Sequence, residues 1–315
     1  MKAVILDLES LEDLDLSPIE AEFDQLNVHM ATAPKQVAER IAGCDVVITN
    51  KVKIDHDLMS SASALKLICV VATGTNNIDL KAASEKNVRV CNCVAYGVDS
   101  VAQHVMSMIL ALHTNIVQYD RAVKSGEWGK ASQFCMLSFP VRELAGRTLG
   151  IYGYGNLGSA VARLAEAFDM KVVIAQRPGA EKREGRLPMD ELLAQADVLS
   201  LHCPLTEETK DLINADALAK MKPGSMLINA ARGGVVNEEA LADALRSGQL
   251  AGAATDVLTE EPPVNGNVLL SEDVPNLIIT PHSAWGSREA RQRILDQTLE
   301  NIQGFKAGSP VRIVS

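Results

Sequence analysis

The sequence predicts an α/β protein built on doubly wound parallel sheets. Three observations carry that prediction. Short runs rich in Val, Ile and Leu alternate with helical stretches along almost the whole chain. Most of these runs are apolar throughout rather than at every second residue, as strands covered on both faces must be. One run leads directly into a glycine-rich turn that opens a helix, "GIYGYGNLGSAV". A length of 315 residues suggests about two domains.

Taken in order, the predicted strands fall at 3–8, 45–50, 66–72, 88–92, 148–155, 171–176, 197–203, 225–231, 250–257 and 276–281. Helices between them carry start and stop signals. Asp190 stands before "ELLAQA", and Asn237 before "EEALADALRSG", which closes on Gly248. "NADALAKMKPG" halts at Pro223–Gly224 ahead of the next strand. Residues 99–126 predict one long helix, apolar on most sides through Met106–Leu112, and such a helix must be buried all round. The irregular arm after it carries Trp128, Phe134 and Phe139. Together they predict a homodimer formed through residues 99–140; a plain internal helix joining two domains is the alternative. No repeat of solenoid length is present.

The composition narrows the function classes. Thirty basic against forty acidic residues give a formal charge of −10, which disfavours nucleic acid and anionic membranes as partners. No apolar run is long enough to span a bilayer, and "MKAVILDLESLEDLDL" reaches acidic residues too early for a secretory signal. The six cysteines, Cys44, Cys69, Cys91, Cys93, Cys135 and Cys203, lack zinc-type CxxC pairs, and most lie in apolar runs. They read as packed, reduced thiols of a cytoplasmic protein, with no metal site.

The turn Gly153-x-Gly155-x-x-Gly158 lies between an apolar strand and an amphipathic helix, with the strand "KVVIA" beyond. That context is what a dinucleotide-binding turn requires. Gly153 permits the tight turn, Gly155 lets a pyrophosphate approach the backbone, and Gly158 lets the helix pack close. The free N–H groups near Asn156 and Leu157 would hold the diphosphate. An acidic residue is expected at the end of the next strand to grip the ribose of NAD. Here Gln176 stands instead, followed by Arg177, with Lys182, Arg183 and Arg186 close by. NAD(H) is favoured, and NADP(H) or dual use stays open, because these cations suit a 2′-phosphate and glutamine does not repel one.

Three polar residues stand at or just beyond the carboxyl ends of predicted strands: Arg232 after "SMLINAA", Glu261 in "TDVLTEEPP" and His282 after "NLIITP". Ligands of doubly wound sheets lie at that edge. Ketone reduction by hydride needs a proton donor, and histidine suits that role. A neighbouring carboxylate favours the protonated ring. A guanidinium matches the planar carboxylate of a 2-oxo acid. Taken singly, each has a plainer reading: a turn histidine, a solvated loop, or an arginine pairing with Asp256.

The motifs "YGYGNLG", "LSLHCPLTEETKDLIN", "MKPGSMLINAARGGVVNEEAL", "DVLTEEPP" and "TPHSAWGS" resemble the D-isomer-specific 2-hydroxyacid dehydrogenases, essentially from end to end. "ICVVATGTNNID", "VAYGVDSVAQHV" and "PHSAWGS" are similar to the members that interconvert hydroxypyruvate and D-glycerate, with glyoxylate as a side substrate. The resemblance implies that Arg232 binds the substrate carboxylate and that Glu261 orients His282, the acid/base. It implies that Ala72, Thr73 and Gly74 form a substrate loop and that Asp256 contacts the nicotinamide carboxamide. His202, Cys203 and Pro204 would flank the adenosine, and Ala230 would touch the nicotinamide. Trp285 would wall the substrate pocket or simply pack. The implied layout is a Rossmann-type nucleotide domain, 99–286, inserted into a smaller flavodoxin-like substrate domain of 1–98 plus 287–315. The end at Ser315 implies no C-terminal regulatory domain. Two other readings stay open: a non-catalytic NAD(H)-sensing, corepressor-like protein on the same fold, and a phosphorylated substrate, for which Lys51 is the cation at hand.

Overall fold

Each apolar run of the N-terminal third becomes a strand of one parallel sheet. The computed structural model describes residues 1–177, 179 and 181–315. The chain divides into two units, Met1–Gly97 with Gly286–Ser315, and Val98–Trp285. The first begins β1 (Lys2–Ile5), α1 (Ser17–Glu20), β2 (Gln25–Val28), α2 (Val37–Ile41), β3 (Val46–Thr49) and α3 (His56–Ser61). It continues β4 (Leu67–Val70), α4 (Leu80–Glu85) and β5 (Arg89–Cys91). The order is β2-β1-β3-β4-β5, all parallel, the flavodoxin-type winding. Every residue of β3 and β4 is buried, as helices on both faces demand. Asp55 and Asp79 cap α3 and α4 by accepting the N–H of Leu58 and Ala82. Strand β2, "QLNV", is not anticipated from the sequence. It is a largely exposed edge with no apolar run, formed because its backbone pairs with β1 from Lys2↔Gln25 to Ile5↔Val28.

The second unit runs α5 (Val98–Thr114), α6 (Ile116–Lys124), β6 (Thr148–Tyr152), α7 (Asn156–Glu166), β7 (Lys171–Ala175) and β8 (Arg186–Leu187). It continues α8 (Met189–Gln195), β9 (Val198–Leu201), α9 (Ala215–Lys220), β10 (Ser225–Asn229), α10 (Glu238–Arg246), β11 (Leu250–Thr255) and β12 (Leu277–Ile279). The chain then rejoins the first unit as α11 (Arg288–Lys306). The seven parallel strands are ordered β12-β11-β10-β9-β6-β7-β8, a Rossmann winding with one further strand. Its direction reverses between β6 and β9, so the segments after those two strands flank the switch point. Neighbouring residues of β10 serve opposite cores. Leu227 packs towards α8, α9 and α10, whereas Met226 and Ile228 pack towards α5 and α7. Burying one such side chain contributes about 1.5–3 kcal/mol.

Two local expectations are corrected. The single helix over 99–126 is two helices, because Asn115 takes a left-handed backbone (φ 51°) between α5 and α6. Asparagine tolerates that conformation better than most residues. Asp190 does not cap α8; it lies within the first turn, and Pro188 holds the capping position. Helix α5 buries Val101, Val105, Met106, Ile109 and Leu112 within its own unit. The exposed apolar side chains lie beyond it, at Ile116, Val117, Trp128, Phe134 and Leu137. Among the described residues no helix is long and apolar enough to cross a membrane, and no cluster of His, Cys, Asp and Glu is placed to hold a metal.

Candidate active site

The glycine turn follows β6. Gly153 has φ +96°, and a Cβ there would strike the His202 carbonyl oxygen at 2.6 Å. The turn therefore presses on the segment after β9, whose His202 N–H donates to the Tyr152 carbonyl at 2.8 Å. A Cβ at Gly158 would meet the Gly153 carbonyl oxygen at 2.2 Å, so α7 starts hard against the strand end. At Gly155 a Cβ would point into open space. There the first turn of α7 begins, at Asn156, and first-turn N–H groups have no partner inside their own helix. Tyr154 lies under the Arg186 guanidinium, 4.7 Å from its ring centroid.

Gln176, just past β7, is engaged with its own loop. Its amide nitrogen donates to the carbonyls of Arg177 (3.3 Å) and Glu181 (3.0 Å), and its oxygen accepts the Arg183 N–H at 3.2 Å. Arg177 is exposed, with the Glu208 carboxylate 3.9 Å away. His202 pairs its Nε2 with the Ser200 hydroxyl at 2.9 Å, while its Nδ1 is closed off from solvent with no hydrogen-bond partner among the described residues. Burial pushes its pKa down to about 4, and the Cys203 thiol up to about 11. Pro204 offers its carbonyl to the Thr209 hydroxyl at 2.7 Å.

The lowered His202 value has a consequence for stability. The unfolded chain takes up a proton near the ordinary histidine pKa of about 6.5, whereas the folded chain resists until about pH 4. Stability is therefore fully present above pH 6.5 and declines as pH falls through that window, by up to about 3 kcal/mol. His202→Gln is expected to flatten this part of the urea-unfolding profile between pH 7 and pH 4.5. An unchanged slope would remove His202 as its source.

The three candidate catalytic residues all lie in the second unit, at the carboxyl ends of β10, β11 and β12. After β10, the Asn229 side chain ties down the turn: its oxygen accepts the Ala231 N–H and its nitrogen donates to the Arg232 carbonyl, both at 3.1 Å. Ala230 is half-buried. Arg232 is exposed, its Nη1 donating to the Ala231 carbonyl at 2.7 Å. Gly233 then lies flush on the segment after β11, where a Cβ would fall 1.8 Å from the Leu258 carbonyl oxygen. Glu261 closes that segment by accepting the Leu258 N–H at 2.8 Å through Oε1. Its other oxygen, Oε2, lies 2.6 Å from His282 Nδ1. Each side chain of this pair is about one-third exposed (34% and 32%). The segments of Arg232 and Glu261 thus meet through Gly233, and Glu261 meets His282 directly.

His282 holds a left-handed backbone (φ 53°), its N–H donating to the carbonyls of Asp256 (2.8 Å) and Thr280 (3.0 Å). The Asp256 carboxylate, 2% exposed, accepts the N–H groups of Ser283 and Ala284, both at 2.9 Å, and the Thr280 hydroxyl at 2.5 Å. Asp256 thus engages the loop that carries His282, a link that sequence alone does not reveal. Trp285 is half-buried and packs against the α5–α7 core. In the first unit, the loop after β4 is pinned from β5: the Cys93 N–H donates to the Ala72 carbonyl at 3.0 Å and the Asn92 side chain to the Thr73 carbonyl at 2.8 Å. Gly74 is half-buried beside them.

Known proteins share both the sequence and the fold. The family model "D-isomer specific 2-hydroxyacid dehydrogenase, NAD binding domain" matches residues 106–284. The glycerate dehydrogenase of Methylorubrum extorquens is 41% identical over 313 residues, covering 99% of this chain and 98% of that one. The hydroxypyruvate reductase of Blautia hydrogenotrophica is 36% identical over the full length of both chains. A crystal structure of a Thermus thermophilus protein superposes with a TM-score of 0.87 at 32% identity, again over both whole chains.

Proposed function

The chain belongs to the D-isomer-specific 2-hydroxyacid dehydrogenase family, and from that premise we propose that it reduces hydroxypyruvate to D-glycerate, reversibly, with glyoxylate as a side substrate. The observation that carries this reading is the His282–Glu261 pair at 2.6 Å, fixed beside the Arg232 turn. Its support in kind is the likeness to a glycerate dehydrogenase and a hydroxypyruvate reductase.

The cofactor is a nicotinamide dinucleotide, which when bound supplies the hydride for the carbonyl carbon. The turn at Gly153–Gly158 fits it, with open space over Gly155 and the first-turn N–H groups of Asn156 and Leu157 for the diphosphate. The segment of His202, Cys203 and Pro204 lines the other side of the switch point, and Ala230 and Asp256 end β10 and β11. Because Nδ1 of His282 faces Glu261, Nε2 is the nitrogen that hands a proton to the carbonyl oxygen. Glu261 balances the charge of the protonated ring. Arg232 takes the substrate carboxylate in its guanidinium fork. Ala72, Thr73 and Gly74 are assigned to the substrate as well, and Trp285 to the wall of its pocket. The carboxylate is held, the carbonyl oxygen is protonated, and hydride plus proton balance the reduction of ketone to alcohol.

A panel of 2-oxo acids followed with NADH and NADPH tests the reading; no turnover with any of them would favour a nucleotide-sensing binding protein instead. NADH is the proposed partner, with NADPH accepted. Gln176→Glu replaces the amide nitrogen that donates to the Arg177 and Glu181 carbonyls by an oxygen that repels them, which turns that oxygen away from the loop and makes it available to the ribose while the other keeps the Arg183 N–H. The NADH/NADPH ratio of kcat/KM is expected to rise by about tenfold or more, and an unchanged ratio would place Gln176 away from the ribose. The buried free thiols suit a reducing, cytoplasmic setting. A homodimer through residues 99–140 would cover Ile116, Trp128, Phe134 and Leu137, of which Phe134 is 91% exposed.

A further inference from the structure

Helix α5 reaches the His282 loop through two side chains: the Ser100 hydroxyl donates to the Ala284 carbonyl at 2.6 Å, and His104 meets the base of the loop. His104 Nε2 lies 3.0 Å from the Thr280 hydroxyl and 3.7 Å from Asp256 Oδ1. A hydroxyl has a single proton, and an ionised carboxylate can only accept. The Thr280 proton goes to Asp256 at 2.5 Å, so Thr280 must accept from His104, which carries its proton on Nε2. The direction of every bond is then set: His104 to Thr280, Thr280 to Asp256, and Ser283 and Ala284 to Asp256.

Asp256 is buried, and His104 Nε2, 3.7 Å from its Oδ1, is the side chain of α5 that approaches its carboxylate. Its hydrogen-bond donors are the Thr280 hydroxyl and the Ser283 and Ala284 N–H groups. A buried carboxylate keeps a fixed orientation only while its hydrogen bonds are made. The same carboxylate anchors the two N–H groups that follow His282, and the Asp256 and Thr280 carbonyls receive the His282 N–H itself. His282 is left-handed, a conformation that few non-glycine residues adopt and that its surrounding hydrogen bonds favour.

We propose that His104 is a positioning residue for proton donation: acting through Thr280 and Asp256, it holds the 282–285 segment so that the His282 ring stays against Glu261. This rests on the assignment of His282 as proton donor. It adds a residue of α5, remote in sequence, that touches neither substrate nor cofactor in that scheme.

The test uses the full chain with hydroxypyruvate and NADH, and amide exchange of residues 282–285 in the protein without ligands. His104→Leu removes the donor and is expected to lower kcat by about tenfold, to change KM by less than about twofold, and to speed exchange in that segment. His104→Gln presents an amide donor and should recover most of both. Thr280→Val should match His104→Leu, and the double variant should be no worse than either single one, since both cut the same chain. Wild-type kcat and exchange in His104→Leu, no recovery with glutamine, or losses that multiply in the double variant would each overturn the proposal. If His104→Leu does not fold, Thr280→Val against Thr280→Ser makes the same comparison. Should the wild type fail to turn over hydroxypyruvate, the catalytic reading falls, and the exchange rates still decide whether His104 holds the segment.

Discussion

Replacing His282 by alanine is expected to lower kcat for 2-oxo acid reduction by about a hundredfold or more, because proton transfer in the transition state is lost. The side chain is about one-third exposed and bonds to Glu261, at the surface rather than in a core, so the fold does not depend on it. Glu261 keeps its bond to the Leu258 N–H and remains in place. The left-handed backbone complicates the experiment in a useful way. Alanine at φ near +53° carries a conformational cost of roughly 1–2 kcal/mol, whereas asparagine visits that region readily. His282→Asn therefore separates the two effects, as it keeps the backbone and removes the proton donor. Both variants should lose kcat alike and bind NADH as the wild type does, measured by steady-state rates and by fluorescence titration. A loss of only a few-fold in either would mean that water or another group delivers the proton.

The parts legible in the sequence are those in which a residue type is forced by its own backbone or by its neighbours in the chain. The Gly153–Gly158 turn is such a case: the positive φ at Gly153 and the close approaches of Gly153 to His202 and of Gly158 to Gly153 exclude a side chain at both positions, so those two glycines stand out. The strands before Arg232 and Glu261 are legible for a related reason, as parallel strands buried on both faces are apolar runs; the strand before His282 is a half-buried edge that still reads as an apolar run. What cannot be read is set by partners distant along the chain. Strand β2 has no apolar signature and exists because β1 offers it a pairing edge. The break at Asn115 leaves the helical spacing of apolar residues intact on either side. Asp256 reads from its motif as a nicotinamide contact. The structure shows its carboxylate accepting from residues 24, 27 and 28 positions onward, all in the loop of His282, and lying near a histidine on α5.

For Arg232→Ala, the expected result is a fall in kcat/KM for hydroxypyruvate of about a hundredfold to a thousandfold, with the NADH dissociation constant within about twofold of wild type. The asymmetry follows from how the residue is held. Its backbone is fixed by the Asn229 side chain and by the Gly233 contact with Leu258, none of which involves the guanidinium. The guanidinium itself bonds to the adjacent Ala231 carbonyl, and among the described residues it has no carboxylate within ion-pair distance. Truncation thus removes a charge that no described carboxylate pairs with, and it leaves the turn standing. Arg232→Lys should fall between the two, because an ammonium keeps the charge but cannot present two parallel N–H groups to a carboxylate. If Arg232→Ala instead abolished NADH binding and left saturation by hydroxypyruvate unchanged, the cation would belong to the nucleotide site, and the substrate carboxylate would have to be held by other donors.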